Sequence, residues 1–248
     1  MSFVYHPSSF LDAKVSLFKD VYSKIPIKII TYRDWLFKKN NELKDLVYRF
    51  RNEHNKKLKH ALPCITGSGV ISDERVDNNL KHHNGCIVLD VDYKDNLHLK
   101  EQYFLQLKKK VFRNISEICY AGHSVGGKGY YLIIRIENPN RHTDYFEYLS
   151  KWFENAEDIN IDLSGKNLSR LRFYSVDENP HINEEALILK ESQLNEVKKP
   201  SIKFQHSNTD IDKLVKKIEA SGISIAPDYD QYLKLAIVFY NELGEDGR

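Results

Sequence analysis

The sequence predicts an α+β fold, a mostly antiparallel sheet covered by helices. Three observations point there: short β-branched apolar runs, a glycine-rich turn joining two of them as a hairpin, and amphipathic helical stretches between the runs. At 248 residues the chain exceeds one average domain, so a core domain with a smaller appendage is expected.

In chain order, apolar periodicity gives a helix at 10–22, a strand at 27–32, a helix at 34–58 and a strand near 62–66. Residues 86–93 read Cys-Ile-Val-Leu-Asp-Val-Asp-Tyr after Asn84-Gly85, a short buried strand over 86–92. An amphipathic helix at 97–112 follows, its Lys108-Lys-Lys110 end complementing the helix dipole. Strands at 116–121 and 129–137 pair across the glycine turn. A helix at 142–156 and strands near 159–162 and 170–176 complete the series.

Chemistry enters at the end of the 86–92 strand. Side chains alternate across a strand, so Asp90 and Asp92 share one face while Ile87, Leu89 and Val91 take the other. Two close like charges need a cation, and a hard divalent metal accepts such carboxylates while leaving sites for phosphates. The same residues also fit a strand ending in a solvated acidic turn with Lys94 and Asp95. The turn Ser124-Val-Gly-Gly-Lys-Gly offers Gly126, Gly127 and Gly129 for close backbone approach, Lys128 as a point charge and the Ser124 hydroxyl as a donor. It is not a P-loop, because no GxxxxGKS/T is present and it feeds a strand; a plain hairpin turn is the other reading. Asp162 ends a further apolar stretch, with Arg170 and Arg172 alternating just beyond. Three carboxylates can hold two metals, and two arginines match a triphosphate; a salt bridge from Asp162 or Asp177 to an arginine is the structural alternative.

In this order the motifs resemble the archaeo-eukaryotic primase (prim-pol) superfamily. The closest branch comprises the primase-polymerase domains of bacterial mobile elements and CRISPR-associated primase-polymerases. Asp90 and Asp92 match its DxD motif, Ser124 to Tyr131 its glycine turn, and Asp162 with Arg170 and Arg172 its hydrophobic-Asp motif and arginine strand. The stretch Leu-Pro-Cys-Ile-Thr-Gly-Ser-Gly at 62–69 and Phe-Tyr-Ser-Val-Asp-Glu-Asn-Pro at 173–180 also look like that branch. The family's histidine after the turn falls at Tyr131, leaving the tyrosine hydroxyl, Lys128 or His123 to grip phosphate.

The resemblance implies an RRM-like palm and a template-dependent nucleotidyltransferase that makes and extends primers on single-stranded DNA or RNA from NTPs or dNTPs. It further implies two Mg²⁺ or Mn²⁺ ions on Asp90, Asp92 and Asp162. Incoming phosphates would rest on Ser124, Gly126, Gly127, Lys128, Gly129 and Tyr131, with Arg170 or Arg172 stabilising the transition state. CRISPR or mobile-element replication proteins are the partners implied. Rival expectations are a silent prim-pol-fold binding module and a DxD nuclease or glycosyltransferase.

Composition fits an enzyme of the cytoplasm. Cys64, Cys86 and Cys119 are scattered without CxxC spacing, so buried structural thiols are expected and no zinc site is visible. No apolar run is long enough for a membrane span. The net charge is only +2, but residues 1–60 hold 13 Lys/Arg against 6 Asp/Glu, a basic part suited to template phosphates. The expected domains are a catalytic 1–190, with its basic helical part at 1–60, a polar linker at 191–209, and a helical appendage at 210–248 that reads as the start of a longer primase C-terminal domain.

Overall fold

The computed structural model describes residues 7–37 and 40–195, all within the unit Met1–Pro200. The expected appendage, most of the expected linker and Lys38-Lys39 lie outside the described residues. The strands are β1 (Lys14–Phe18), β2 (Lys28–Thr31), β3 (Cys64–Thr66), β4 (Gly69–Ile71), β5 (Leu80–His83), β6 (Cys86–Asp92), β7 (Ile118–His123), β8 (Gly129–Arg135), β9 (Leu171–Phe173) and β10 (His181–Ile182). The helices are α1 (Tyr32–Phe37), α2 (Asn41–Glu53), α3 (Lys56–His60), α4 (Glu101–Phe104), α5 (Leu107–Lys110) and α6 (His142–Glu157).

The chain is α+β, and every pair of named strands is antiparallel. There are two four-stranded sheets, ordered β2-β1-β3-β9 and β10-β7-β8-β6, plus the two-stranded ribbon β4-β5. In the second sheet one face of β6, with Ile87, Leu89 and Val91, packs on Phe104, Phe112, Phe146 and Phe153 from the helical layer. The opposite face, with Cys86 and Val88, meets Val15, Tyr32 and Ile65 from the first sheet's side. Each fully buried aliphatic side chain contributes about 1.5–3 kcal/mol of transfer free energy, so a one-residue slip that exchanged the faces is strongly disfavoured.

Several elements differ from the sequence expectation. Residues 10–22 form a 3-10 turn and then β1 rather than a helix, because pairing on both edges of β1 overrides the local apolar spacing. Ser16 adds to this: its hydroxyl donates to the Ile71 carbonyl at 2.8 Å and accepts from the Ile71 amide at 2.9 Å. The 34–58 helix is broken into three. Asn40 caps α2 through the Leu43 amide, His54 ends α2 in the left-handed region at φ 53°, and Asn55 restarts the chain as α3. The 97–112 helix divides into α4, α5 and a 3-10 turn. Residues 159–162 pair in no strand. The expected linker begins with an anchored turn, Glu191–Asn195, whose Glu191 accepts from Arg141 at 2.9 Å and Asn138 at 2.8 Å.

The three cysteines are free and buried. Burial pushes the Cys64 and Cys119 thiols up to about 12 and Cys86 higher still, so they act as small apolar groups. Among the described residues no helix is long and apolar enough to cross a membrane.

Candidate nucleotide cavity

Strand alternation delivers Asp90 and Asp92 to the face of β6 that looks toward the first sheet. Register then sets their neighbours: Asp90 lies opposite Tyr131 and Asp92 opposite Gly129 on β8. The third carboxylate arrives without a strand. The Asp162 amide donates to the Asp90 carbonyl at 2.9 Å, pinning residue 162 to the edge of β6. Its side chain caps a 3-10 turn, accepting from the Ser164 amide at 2.9 Å and hydroxyl at 2.8 Å. Across the gap, β9 pairs with β3 so that Arg172 lies opposite Ile65.

These side chains meet in a cavity of about 310 Å³. Asp90, Asp92, Asp162, Ser124, Gly126, Tyr131, Arg170 and Arg172 all line it, as do Lys59, Lys94, Phe50 and Phe173. Residues far apart in the chain thus converge where the sequence placed a single site. Gly127, Lys128 and Gly129 do not line it. The Lys128 ammonium is exposed and 3.7 Å from Glu101, so its expected phosphate role has no support in this arrangement.

The two glycines instead shape the turn. Gly127 takes a φ of +77°, which a side chain disfavours. A Cβ on Gly129 would stand 2.9 Å from the Asp92 Oδ1 and 3.0 Å from the Ser124 Oγ. Arg51 staples the turn from α2. Its guanidinium donates to the carbonyls of Val125 at 3.1 Å, Ser124 at 3.1 Å and Val176 at 2.8 Å. Arg51 is therefore committed to backbone rather than to template phosphate. Also from α2, Arg49 pairs with Glu53 of the same helix and Lys44 with the distant Glu178, while Lys56 and Lys57 stay exposed.

Each carboxylate of the cavity has a cation. Asp90 and Arg172 form a largely buried ion pair. Lys94 lies 3.5 Å from Asp92, and Arg170 lies 3.9 Å from Asp162. Burial lowers the Arg172 guanidinium to about 10, which leaves it charged at neutral pH. Burial pushes the Asp162 carboxyl up, but the Ser164 hydroxyl and amide, with Arg170 and Lys94, outweigh it and hold Asp162 below its ordinary value. Among the described residues no group of three or more His, Cys, Asp or Glu side chains is assembled to hold a metal ion by itself. The donor set is nevertheless hard oxygen, and Mg²⁺ commonly takes one or two carboxylates and completes its shell with substrate phosphate and water.

Tyr131 is 9% exposed and tilts against Tyr120 with ring centroids 5.0 Å apart. Burial, with Tyr120 beside it, holds its hydroxyl well above the usual range, so it stays neutral. His123 turns away from a phosphate role too: it stacks on Tyr130 at 4.8 Å, and burial lowers its pKa. Asp177 meets a lysine rather than an arginine: Lys108 reaches it at 2.5 Å, and the His123 amide donates to the same oxygen at 2.9 Å. Lys108 is therefore a half-buried structural partner instead of a solvated helix end. Lys59 and Phe50, which belong to the basic helical part, were not singled out as site residues by the sequence motifs; only the fold brings them to the carboxylates.

Fold and site together define an α+β domain with a polar, charge-paired cavity at the end of strand β6. The sequence profile of the family described as BT4734-like, N-terminal domain, matches residues 57–181, and the chain belongs to that family. The matched stretch contains every cavity-lining residue except Phe50. Neither the curated proteins nor the solved structures return a match.

Proposed function

We propose that this domain is a primase-polymerase that joins nucleotides on a single-stranded template. The observation that supports it is the convergence of Asp90, Asp92 and Asp162 with Ser124, Arg170 and Arg172 on one cavity. Chain topology adds weight. Strand β6, helices α4 and α5, hairpin β7-β8 and helix α6 follow a β-α-β-β-α order, after which the Asp162 segment, which forms no strand, is bonded to the edge of β6. That order suits an RRM-like palm, with the carboxylates on the sheet face turned away from α6.

In this reading Asp90, Asp92 and Asp162 are the residues that would hold divalent ions, Mg²⁺ or Mn²⁺. Such ions supply charge neutralisation and an acidified hydroxyl nucleophile. The chain's own residues do the rest. Arg172 pairs with Asp90 and orients it, Arg170 pairs with Asp162, and both guanidinia line the cavity that would receive the phosphoryl group. Ser124 offers a hydroxyl donor, held in place by the Arg51 staple.

A second reading has its own observation. Tyr131 replaces the superfamily's histidine and is buried, and Arg172 already satisfies Asp90. A domain built this way could bind nucleotide or template without turnover. A labelled primer annealed to a template, with Mn²⁺ or Mg²⁺ and all nucleotides, separates the possibilities. Extension supports the polymerase, shortening indicates a nuclease, and an unchanged length with retained template binding indicates the silent module.

A further inference from the structure

The cavity lining contains three carboxylates and four cations. Asp90 is matched by Arg172, Asp92 by Lys94 and Asp162 by Arg170. Lys59 is the cation left over: it lines the cavity and, among the described residues, pairs with no carboxylate. Its ammonium sits instead 4.7 Å from the centre of the Phe173 ring, itself part of the lining. A cation–π contact orients an ammonium while leaving its three N–H donors unsatisfied.

We propose that Lys59 is the phosphate-binding lysine of this cavity and takes the polyphosphate of a nucleoside triphosphate. The inference rests on the nucleotide reading above and assigns to α3 the role expected of Lys128. Lys128 is spent on Glu101 at the surface, and Tyr131 stays neutral, so neither supplies positive charge to the cavity. Burial lowers the Lys59 ammonium pKa although Asp92 pulls it upward. A partly desolvated charge of this kind gains more from an arriving anion than an exposed one does. The position is also set by the fold: the Asn55 cap and the Ala61 amide, which donates to the Lys57 carbonyl at 3.1 Å, fix α3 on either side of it.

The test is calorimetric titration of the full chain with a nucleoside triphosphate and, separately, with inorganic tripolyphosphate and a short single-stranded oligonucleotide. Lys59→Gln is expected to weaken both triphosphates roughly tenfold or more, the loss of one charge-assisted contact. Lys59→Arg is expected to retain most of the affinity, and Lys57→Gln on the exposed side of α3 all of it. Thermal melting of each variant establishes that it is folded. Unchanged triphosphate affinity in folded Lys59→Gln overturns the role of Lys59 and leaves the nucleotide reading standing. A loss confined to the oligonucleotide also overturns it, placing Lys59 on the template. No binding of either triphosphate by the wild type overturns the nucleotide reading itself, and this inference with it.

Discussion

Gly129→Ala puts a single methyl group where β8 passes the carboxylate of Asp92. The added Cβ would lie 2.9 Å from the Asp92 Oδ1, 2.9 Å from the Val91 carbonyl oxygen and 3.0 Å from the Ser124 Oγ, where ordinary contact begins near 3.4 Å. The Val91 carbonyl belongs to the β6 backbone and has little freedom, so β8 itself must shift along with the two polar side chains. Overpacking of this kind costs about 1–3 kcal/mol, and a displacement of about 1 Å at a reacting group can cost about 10²-fold in rate. Gly126→Ala is the matched control, because a Cβ there meets nothing within 4 Å; its stability should stay within about 0.5 kcal/mol of wild type. Urea unfolding and nucleotide incorporation, run on both variants, provide the comparison. Equal stability and equal incorporation in the two would refute the packing of Asp92 and Ser124 around Gly129.

Two further perturbations follow from the ionic interior. Lys108→Met leaves the Asp177 carboxylate with only the His123 and Asn179 amides as donors among the described residues, and losing one charge-assisted bond of this kind costs about 1.5–3 kcal/mol; a loss below about 0.5 kcal/mol in urea unfolding would show the pair to be dispensable. Burial lowers His142 to about 4, and its Nδ1 lies 3.0 Å from the His83 Nε2. A depressed histidine favours the neutral fold, so its contribution is full above about 6.5 and is lost as pH falls toward 4, about 3 kcal/mol across that window. His142→Phe should flatten the stability-versus-pH curve there, and an unchanged slope would assign the loss to other groups.

Much of the site could be read in the sequence because its central piece is local. Alternation along 86–92 is enough to put Asp90 and Asp92 together, and strand β6 forms over those same residues with the expected faces. The β7-β8 hairpin is equally local, set by glycines between two apolar runs. What the sequence hid depends on pairing between distant segments. The strand character of residues 14–18 comes from partners on both edges, and Asp162 reaches the cavity through one backbone bond to Asp90 rather than through a strand of its own. Charge pairing was hidden for the same reason: Lys108, Lys128 and Arg51 read as free cations, yet each is engaged by a group far away in sequence. Lys59 shows the reverse, one member of a basic run that the fold alone distinguishes from Lys56 and Lys57.

Primer-independent synthesis tests directly whether the cavity joins nucleotides. Single-stranded template, Mn²⁺ or Mg²⁺ and all nucleotides, one of them labelled, are incubated with wild type and with Asp90→Ala. Labelled dinucleotides and longer products are expected in the wild type and none in the variant. Products from both proteins, or from neither while template binding persists, would contradict the polymerase reading.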